Sequence, residues 1–469
     1  MTTAEATPSL TIADHADRAF LGHPKGLGYL AFTEAWERFS YYGMQTLLVL
    51  YMVKYLLLSP QIEGIAGFEA FRNLPLYRGL DGQPLASAIF GTYAASVYLT
   101  PILGGFLADR LLGKRRTVLL GAITMALGHF LMAFEASFLF ALLCMVLGSG
   151  MFKGNIASQV GALYKPDDLR RADAFQIFYL GINAGVIASP LIVGTLGEKV
   201  GWHYGFGAAG VGMLIGLAIY IAGQKYLPAE HFEPQGKATG TEAGPREAMS
   251  RQDWLALLAV LLLIPVMAVA IVPNNQIFNA YLIWGDTHFD LNFFGTRLPT
   301  SFLVTLDAIV SVSFLAIVAL FWRWYAKSRP EPDELTKMVI GSLFSIGGML
   351  CLFMAASTDA GDGRIGLFWP VMFHVLNSIG FAHVLPVSLA LFARLAPRQI
   401  NATVIGLYYL AFFAGNALVG KVGGYYETMS TPAFWLMHAC FAAASGGVFL
   451  LFKLFLTKRL LHAPLPVDA

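Results

Sequence analysis

Glu34, Glu37, Arg38, Tyr41, Tyr42 and Gln45 fall at i, i+3, i+4, i+7, i+8 and i+11 within a stretch otherwise apolar enough to cross a membrane. In a helix, that spacing gathers two acids, a guanidinium, two phenols and an amide into one stripe. Facing lipid, the three charges would cost on the order of 8 kcal/mol, at roughly 2.5 to 3.5 kcal/mol each. The stripe must therefore face protein or water, and its helix lines a polar cavity. A buried ion pair that only fixed helix packing would be expected to balance its charges. Two acids against one base instead leave a carboxylate able to bind and release a proton.

The rest of the chain suits a bilayer. Of 469 residues, 57% are hydrophobic and 13% charged, against about 25% charged in an ordinary soluble domain. A net charge of +2 without a long basic run argues against a nucleic-acid partner. No nucleophile, metal-ligand or phosphate-loop pattern stands out, so the chain reads as neither an enzyme nor a cofactor or metal binder. Cys144, Cys351 and Cys440 sit in three different apolar segments, as packing residues do. Residues 1–25 contain Glu5, Asp14 and Asp17 and no apolar core. They are not a secretory signal, and the first span itself directs insertion.

A window of about 20 residues finds apolar spans near 27–57, 88–111, 117–135, 137–164, 174–197 and 204–226. Six more follow near 252–284, 300–325, 336–356, 365–393, 400–424 and 431–457. The expected fold is an all-α membrane protein with twelve transmembrane helices in two six-helix halves, residues 1–226 and 252–469, joined by a polar linker at 227–251. Alternate loops hold the basic residues, among them Arg110, Lys114, Arg115 and Arg116, then Arg170 and Arg171, then Arg323, Lys327 and Arg329. Those loops, the linker and both termini are then cytoplasmic, in a multi-pass protein of the cell (inner) membrane. Two such halves around a polar stripe form a major facilitator architecture, with the substrate site near the midplane where they meet.

Segment 105–116, Gly-Phe-Leu-Ala-Asp-Arg-Leu-Leu-Gly-Lys-Arg-Arg, resembles that superfamily's signature loop between its second and third helices. Asp109 there would act in gating, through a neighbouring helix terminus and the arginines. Several further motifs resemble the proton-dependent oligopeptide transporters of this superfamily. They are Gly22-His23-Pro24-Lys25-Gly26-Leu27, Glu34-x-x-Glu37-Arg38-Phe39-x-Tyr41-Tyr42-Gly43, Tyr98-Leu99-Thr100-Pro101, Phe152-Lys153-Gly154-Asn155, and residues 178–185 around Asn183. The resemblance is dense in the first half and thins towards Tyr408-Tyr409 and Gly415-Asn416.

The resemblance implies a monomeric symporter that imports short peptides, driven by the proton gradient. Glu34, Glu37, Arg38 and Lys153 would be its proton-coupling cluster. Arg38 and Lys153 would also draw a substrate carboxylate away from the acids, while Tyr41, Tyr42, Tyr98, Asn183, Asn275, Phe381 and Tyr408 line the pocket. Lys153, a cation within a span, would need an anionic partner.

Departures from the pattern fall mostly in the second half. Gln45 follows Gly43-Met44 where the family has arginine, and Asn275 stands where it has an acid. A charged outer gate becomes a neutral pair. Phe381 replaces the acid that binds a peptide's amino terminus in relatives, and Asp307, placed with the gating residues, is a new acid that could take over that amine. A carrier for a non-peptide zwitterion or anion would keep the coupling cluster and lose the amine clamp, and is the alternative reading. His374, Asn377, Phe381 and Ser388 share one face of the tenth span, which Pro370 and Pro386 are expected to kink, while His383 points away as a packing residue.

Overall fold

The computed structural model describes residues 17–165, 168–228, 249–359, 365–397 and 400–460. Most of the expected linker, at 229–248, lies outside them, as do residues 1–16 and 461–469. Twelve long helices carry the described chain. The first six are α1 Lys25–Tyr51, α2 Gly82–Leu107, α3 Lys114–Leu131, α4 Phe138–Ala162, α5 Arg170–Ser189 and α6 Trp202–Gly223. Then come α7 Arg251–Asn275, α8 Phe302–Tyr325, α9 Glu334–Ser357, α10 Phe368–Leu395, α11 Asn401–Gly423 and α12 Thr431–Leu460.

Nine helical segments among the described residues are long and apolar enough to cross a membrane. Those built on α1, α3 and α11 are not among them. α1 carries the polar stripe, α3 opens on Lys114-Arg115-Arg116, and α11 is interrupted by Tyr408, Tyr409 and Asn416.

Within the first group of helices, α1 packs against α5 and α6, α4 against α2 and α3, and α3 against α6. In the second group, α9 packs on α10 and α12, α7 on α11 and α12, and α8 on α10. The groups meet along α2–α11 and α5–α8. At the first of these contacts a Cβ on Gly91 or on Gly420 would run into the other's backbone, so the glycine pair permits the close crossing.

The long helices α7 and α10 contain prolines. α7 contains Pro265 and Pro273, stops at Asn275, passes through a tight turn at Gln276–Phe278 and resumes as Ala280–His288. α7 runs through both prolines, and the span expected at 252–284 carries its turn beyond them. In α10, Pro386 lies inside the helix as expected. Pro370 does not kink it: α10 begins at Phe368, so Pro370 falls in a first turn whose N–H groups have no intrahelical partner anyway.

Candidate functional site

The α1 stripe folds on itself through Arg38. Its Nε donates to Glu34 Oε1 at 2.8 Å and lies 3.3 Å from Glu37 Oε2. Glu34 is 2% exposed, Glu37 0% and Arg38 13%. Among the described residues neither Glu37 oxygen has a hydrogen-bond donor, nor has Glu34 Oε2. A buried carboxylate held only by a long ion contact is a costly arrangement, relieved by a proton or by recapture of the guanidinium. In this conformation Arg38 hydrogen-bonds Glu34 and leaves Glu37 with the longer ion contact alone.

The stripe opens onto a cavity of about 490 Å³ between the two groups of helices. Arg38, Tyr41, Tyr42 and Gln45 from α1, Tyr98 from α2, Lys153 from α4 and Asn183 from α5 form one wall. Asn275 from α7, Asp307 from α8, Phe381 from α10 and Asn416 from α11 form the other. A second chamber of about 480 Å³ shares Arg38, Tyr98 and Lys153 with the first and adds Glu34, Phe175 and Tyr409. Lys153 Nζ sits 3.7 Å from the centroid of the Tyr41 ring. The expected anionic partner is thus a π face; no carboxylate among the described residues lies within ion-pair distance of Lys153.

Polar contacts between the two groups cluster at the end of the molecule that carries residues 57–81. Lys54 pairs with Asp286 at 2.8 Å, and Asp286 Oδ1 accepts from Thr300 Oγ1 at 2.8 Å. Glu198 accepts the backbone N–H groups of Thr300 at 2.7 Å and Ser301 at 2.8 Å, capping the start of α8 from across the interface. Gln83 donates to the Gly423 carbonyl and Ser87 to Asn279, each at 2.9 Å. The buried apolar core runs through both groups at this end, whereas a separate smaller core around Leu391, Phe392 and Tyr408 belongs to the second group alone. One end is fastened, and the cavity lies behind the fastening.

A charged cavity between two helix groups, closed at one end, is the geometry of a carrier. The sequence model of the POT family matches residues 115–244 and 239–434. The chain belongs to the POT family. It is a transporter, and among proteins of known sequence it is similar to the peptide transporter YePEPT of Yersinia enterocolitica subsp. palearctica serotype O:3 (strain YE-P4). That relative is 30% identical over 474 residues, which cover 87% of this chain and 89% of the relative. A di-/tripeptide transporter of Lactococcus lactis subsp. cremoris is 28% identical over 504 residues, covering 93% and 96%. Among solved structures, a crystal structure of peptide transporter POT in complex with sulfate superposes with a TM-score of 0.78 at 27% identity, covering 93% of this chain and 95% of that one.

In this POT-family chain most of the residues singled out by sequence line one of the two chambers, while Glu37, Tyr408 and Asp109 line neither. Tyr408 is buried, its hydroxyl bonded to Ser388 Oγ at 3.0 Å and to the Leu385 carbonyl at 3.2 Å. The next residue, Tyr409, lines the second chamber instead. Asp109 lies exposed in the wide turn Ala108–Leu112 that ends α2, with no hydrogen bond or ion pair to a described residue, so the expected charge network is not formed in this conformation. Gln45 and Asn275 face the same cavity, but Asn275 donates to Asn416 at 3.1 Å and Gln45 Oε1 has no hydrogen-bond partner among the described residues. His383 behaves as a packing residue: it accepts from the Trp322 indole at 3.1 Å.

Sequence reasoning passed over the Glu198 cap, the Asp286 hub and Tyr281. The signal at Glu198 and Asp286 was weak, because charged residues at the ends of spans are commonplace.

Proposed function

We propose that this transporter is a proton-coupled symporter that imports short peptides by alternating access. The observation that carries the reading is Arg38, shared between two buried acids and facing a cavity reached from both helix groups. The names of the relatives support peptides as cargo. All twelve helices then cross the bilayer as two six-helix halves, 1–226 and 252–469, with 227–251 and both termini in the cytoplasm. The chain works as a monomer in the cell membrane, and the fastened end is the outer one, so the conformation described faces inward.

Coupling follows from competition for Arg38. A substrate carboxylate that reaches Arg38 and Lys153 releases Glu34 or Glu37 from the guanidinium, and the freed acid takes a proton from the outside. With the acids neutral and the cations occupied by substrate, the loaded carrier reorients. Loss of the proton to the inside lets the carboxylates recapture Arg38 and expel the substrate carboxylate.

Phe381 and Asn275 on the cavity wall favour a second reading, a carrier for a non-peptide zwitterion or anion, because they leave those two positions uncharged. Counterflow of labelled L-alanyl-L-alanine in proteoliposomes separates the readings. Saturable exchange competed by other dipeptides supports peptide import, whereas no exchange of the dipeptide, beside saturable exchange of a labelled single amino acid or inorganic anion in the same vesicles, rejects it.

Gln45 and Asn275 supply a further test. Gln45→Arg places an unpaired cation in the cavity and is expected to slow exchange at least about tenfold, on the order of 1.4 kcal/mol. Adding Asn275→Glu is expected to restore part of that loss. If the double variant shows the sum of the two single losses, the positions are not coupled.

A further inference from the structure

Beside the contact between α2 and α11, at the 57–81 end, a crevice of about 620 Å³ opens on the side of the molecule. It shares no lining residue with either chamber. Its walls come from both groups of helices, Leu76, Leu80 and Pro84 from the first and Ala417 and Gly420 from the second. Thr92, the lining residue furthest along α2, lies ten residues beyond Gly82. At 1.5 Å per residue that is a depth of about 15 Å. One leaflet's share of a hydrocarbon core about 30 Å thick has the same depth.

The chemistry of the crevice is graded along that depth. Ala88, Thr92 and Ala417 line the deep part, and Ala417 is exposed. At the mouth stand Asp81, Lys421 and Tyr425, the last 42% exposed and placed as an interfacial aromatic is. Asp81 is ion-paired with Arg72 of its own group. Lys421 is exposed and has no hydrogen bond or ion pair with a described residue. The lining therefore presents one unanswered cation at the level where headgroups lie. On the wall Leu76 is 60% exposed, an apolar surface that water solvates poorly and an acyl chain would cover.

An apolar slot one leaflet deep with a cation at its mouth fits an amphiphile whose anion sits at the interface. We propose that the crevice binds one glycerophospholipid, its phosphate at Lys421 and an acyl chain along Ala88, Thr92 and Ala417. A soluble anion would meet Lys421 and leave the apolar depth unfilled, whereas a lipid uses both. The inference goes beyond the transport reading and does not depend on the cargo. Because the two walls belong to different helix groups, a lipid seated here touches both at once. It binds best while this end is closed, so its occupancy adds to the closure.

Native mass spectrometry of the purified, delipidated full-length chain with added palmitoyl-oleoyl phosphatidylglycerol tests this. One lipid is expected to bind at least about tenfold tighter than any further one, and about tenfold tighter than the diacylglycerol with the same chains. Lys421→Gln removes the cation and Ala417→Trp fills the slot, and each should weaken that lipid at least about tenfold. Lys421→Arg should keep it, and Lys327→Gln, beyond the far end of α8, should change nothing. Thermal unfolding without lipid reports folding in each variant. A first lipid held equally well by Lys421→Gln and Ala417→Trp overturns the crevice as its site. Diacylglycerol bound as tightly overturns the phosphate contact, and displacement by glycerol phosphate at equal affinity makes this a site for soluble anions and overturns the lipid. The part played in closure has its own readout, in vesicles of the same lipid and with Cys144, Cys351 and Cys440 replaced by serine. There Lys421→Gln should raise at least about threefold the rate at which Phe278→Cys reacts with a maleimide applied from the 57–81 side. An unchanged rate overturns that part, since the lipid then binds the open and closed arrangements alike.

Discussion

Glu37→Gln is expected to abolish uphill uptake while leaving counterflow measurable. The amide keeps the shape of the carboxyl group and removes its proton. One proton moving through about 100 mV and one pH unit supplies about 3.7 kcal/mol, enough for roughly 500-fold accumulation. Without the titrating group, accumulation should fall towards unity, which is a large and readily seen loss. Downhill exchange needs only that Arg38 and Lys153 still meet the substrate carboxylate, and both line the cavity independently of Glu37. Glu34→Gln should be partly disabling by a second route, because it weakens the 2.8 Å hydrogen bond that holds Arg38 in place. The measurement is accumulation of labelled dipeptide in proteoliposomes under an imposed proton gradient, beside counterflow in the same vesicles. Gradient-driven accumulation that survives in Glu37→Gln, Glu34→Gln and Lys153→Ala alike would remove the cluster from the mechanism.

The α1 stripe was legible in the sequence because charges inside an apolar span have few affordable positions. Its six residues at helical spacing fix a face without knowledge of any neighbour, and four of them line the central cavity. The helix boundaries were legible for a similar reason, since apolar length is a local property. What failed was the non-local information. Tyr408 and Tyr409 are adjacent and chemically alike, and the choice between core and cavity depends on how α11 is rotated against α2 and α7. Lys153 was read as needing an acid because a buried cation does need a partner; that the Tyr41 ring serves is decided by packing. The break after α7, at Gln276–Phe278, was not legible, because Pro265 and Pro273 both lie inside the continuous helix before it. That break lets Ala280–His288 begin afresh and carries Tyr281 to His374. The fastening at the 57–81 end was illegible, since Lys54 and Asp286 lie 232 residues apart and each looks like an ordinary charge flanking a span.

In the alternating-access reading that fastening sets the balance between the two faces of the carrier, and its parts should matter unequally. Lys54 is 41% exposed, so its ion pair with Asp286 contributes about 0 to 1 kcal/mol despite its 2.8 Å distance. Glu198 is different. Both of its oxygens accept backbone N–H groups at the start of α8, where the helix dipole adds to the attraction. A hydrogen bond to a charged group contributes about 1.5 to 3 kcal/mol, and Glu198→Gln gives up the charge and one of the two acceptors. A loss of about 2 kcal/mol moves the closed-to-open balance roughly 30-fold towards the outward-open state. Lys54→Ala should move it less than about fivefold, although it removes the more conspicuous salt bridge. Phe278 lines the cavity behind the fastening and provides the reporter. In a background with Cys144, Cys351 and Cys440 replaced by serine, Phe278→Cys should react slowly with an impermeant maleimide applied from the 57–81 side. Adding Glu198→Gln should raise that rate at least about tenfold, in step with the shifted population. Lys54→Ala should leave it nearly unchanged. Labelling that responds to Lys54→Ala and ignores Glu198→Gln would mean that the exposed ion pair, not the capped helix start, holds this end shut.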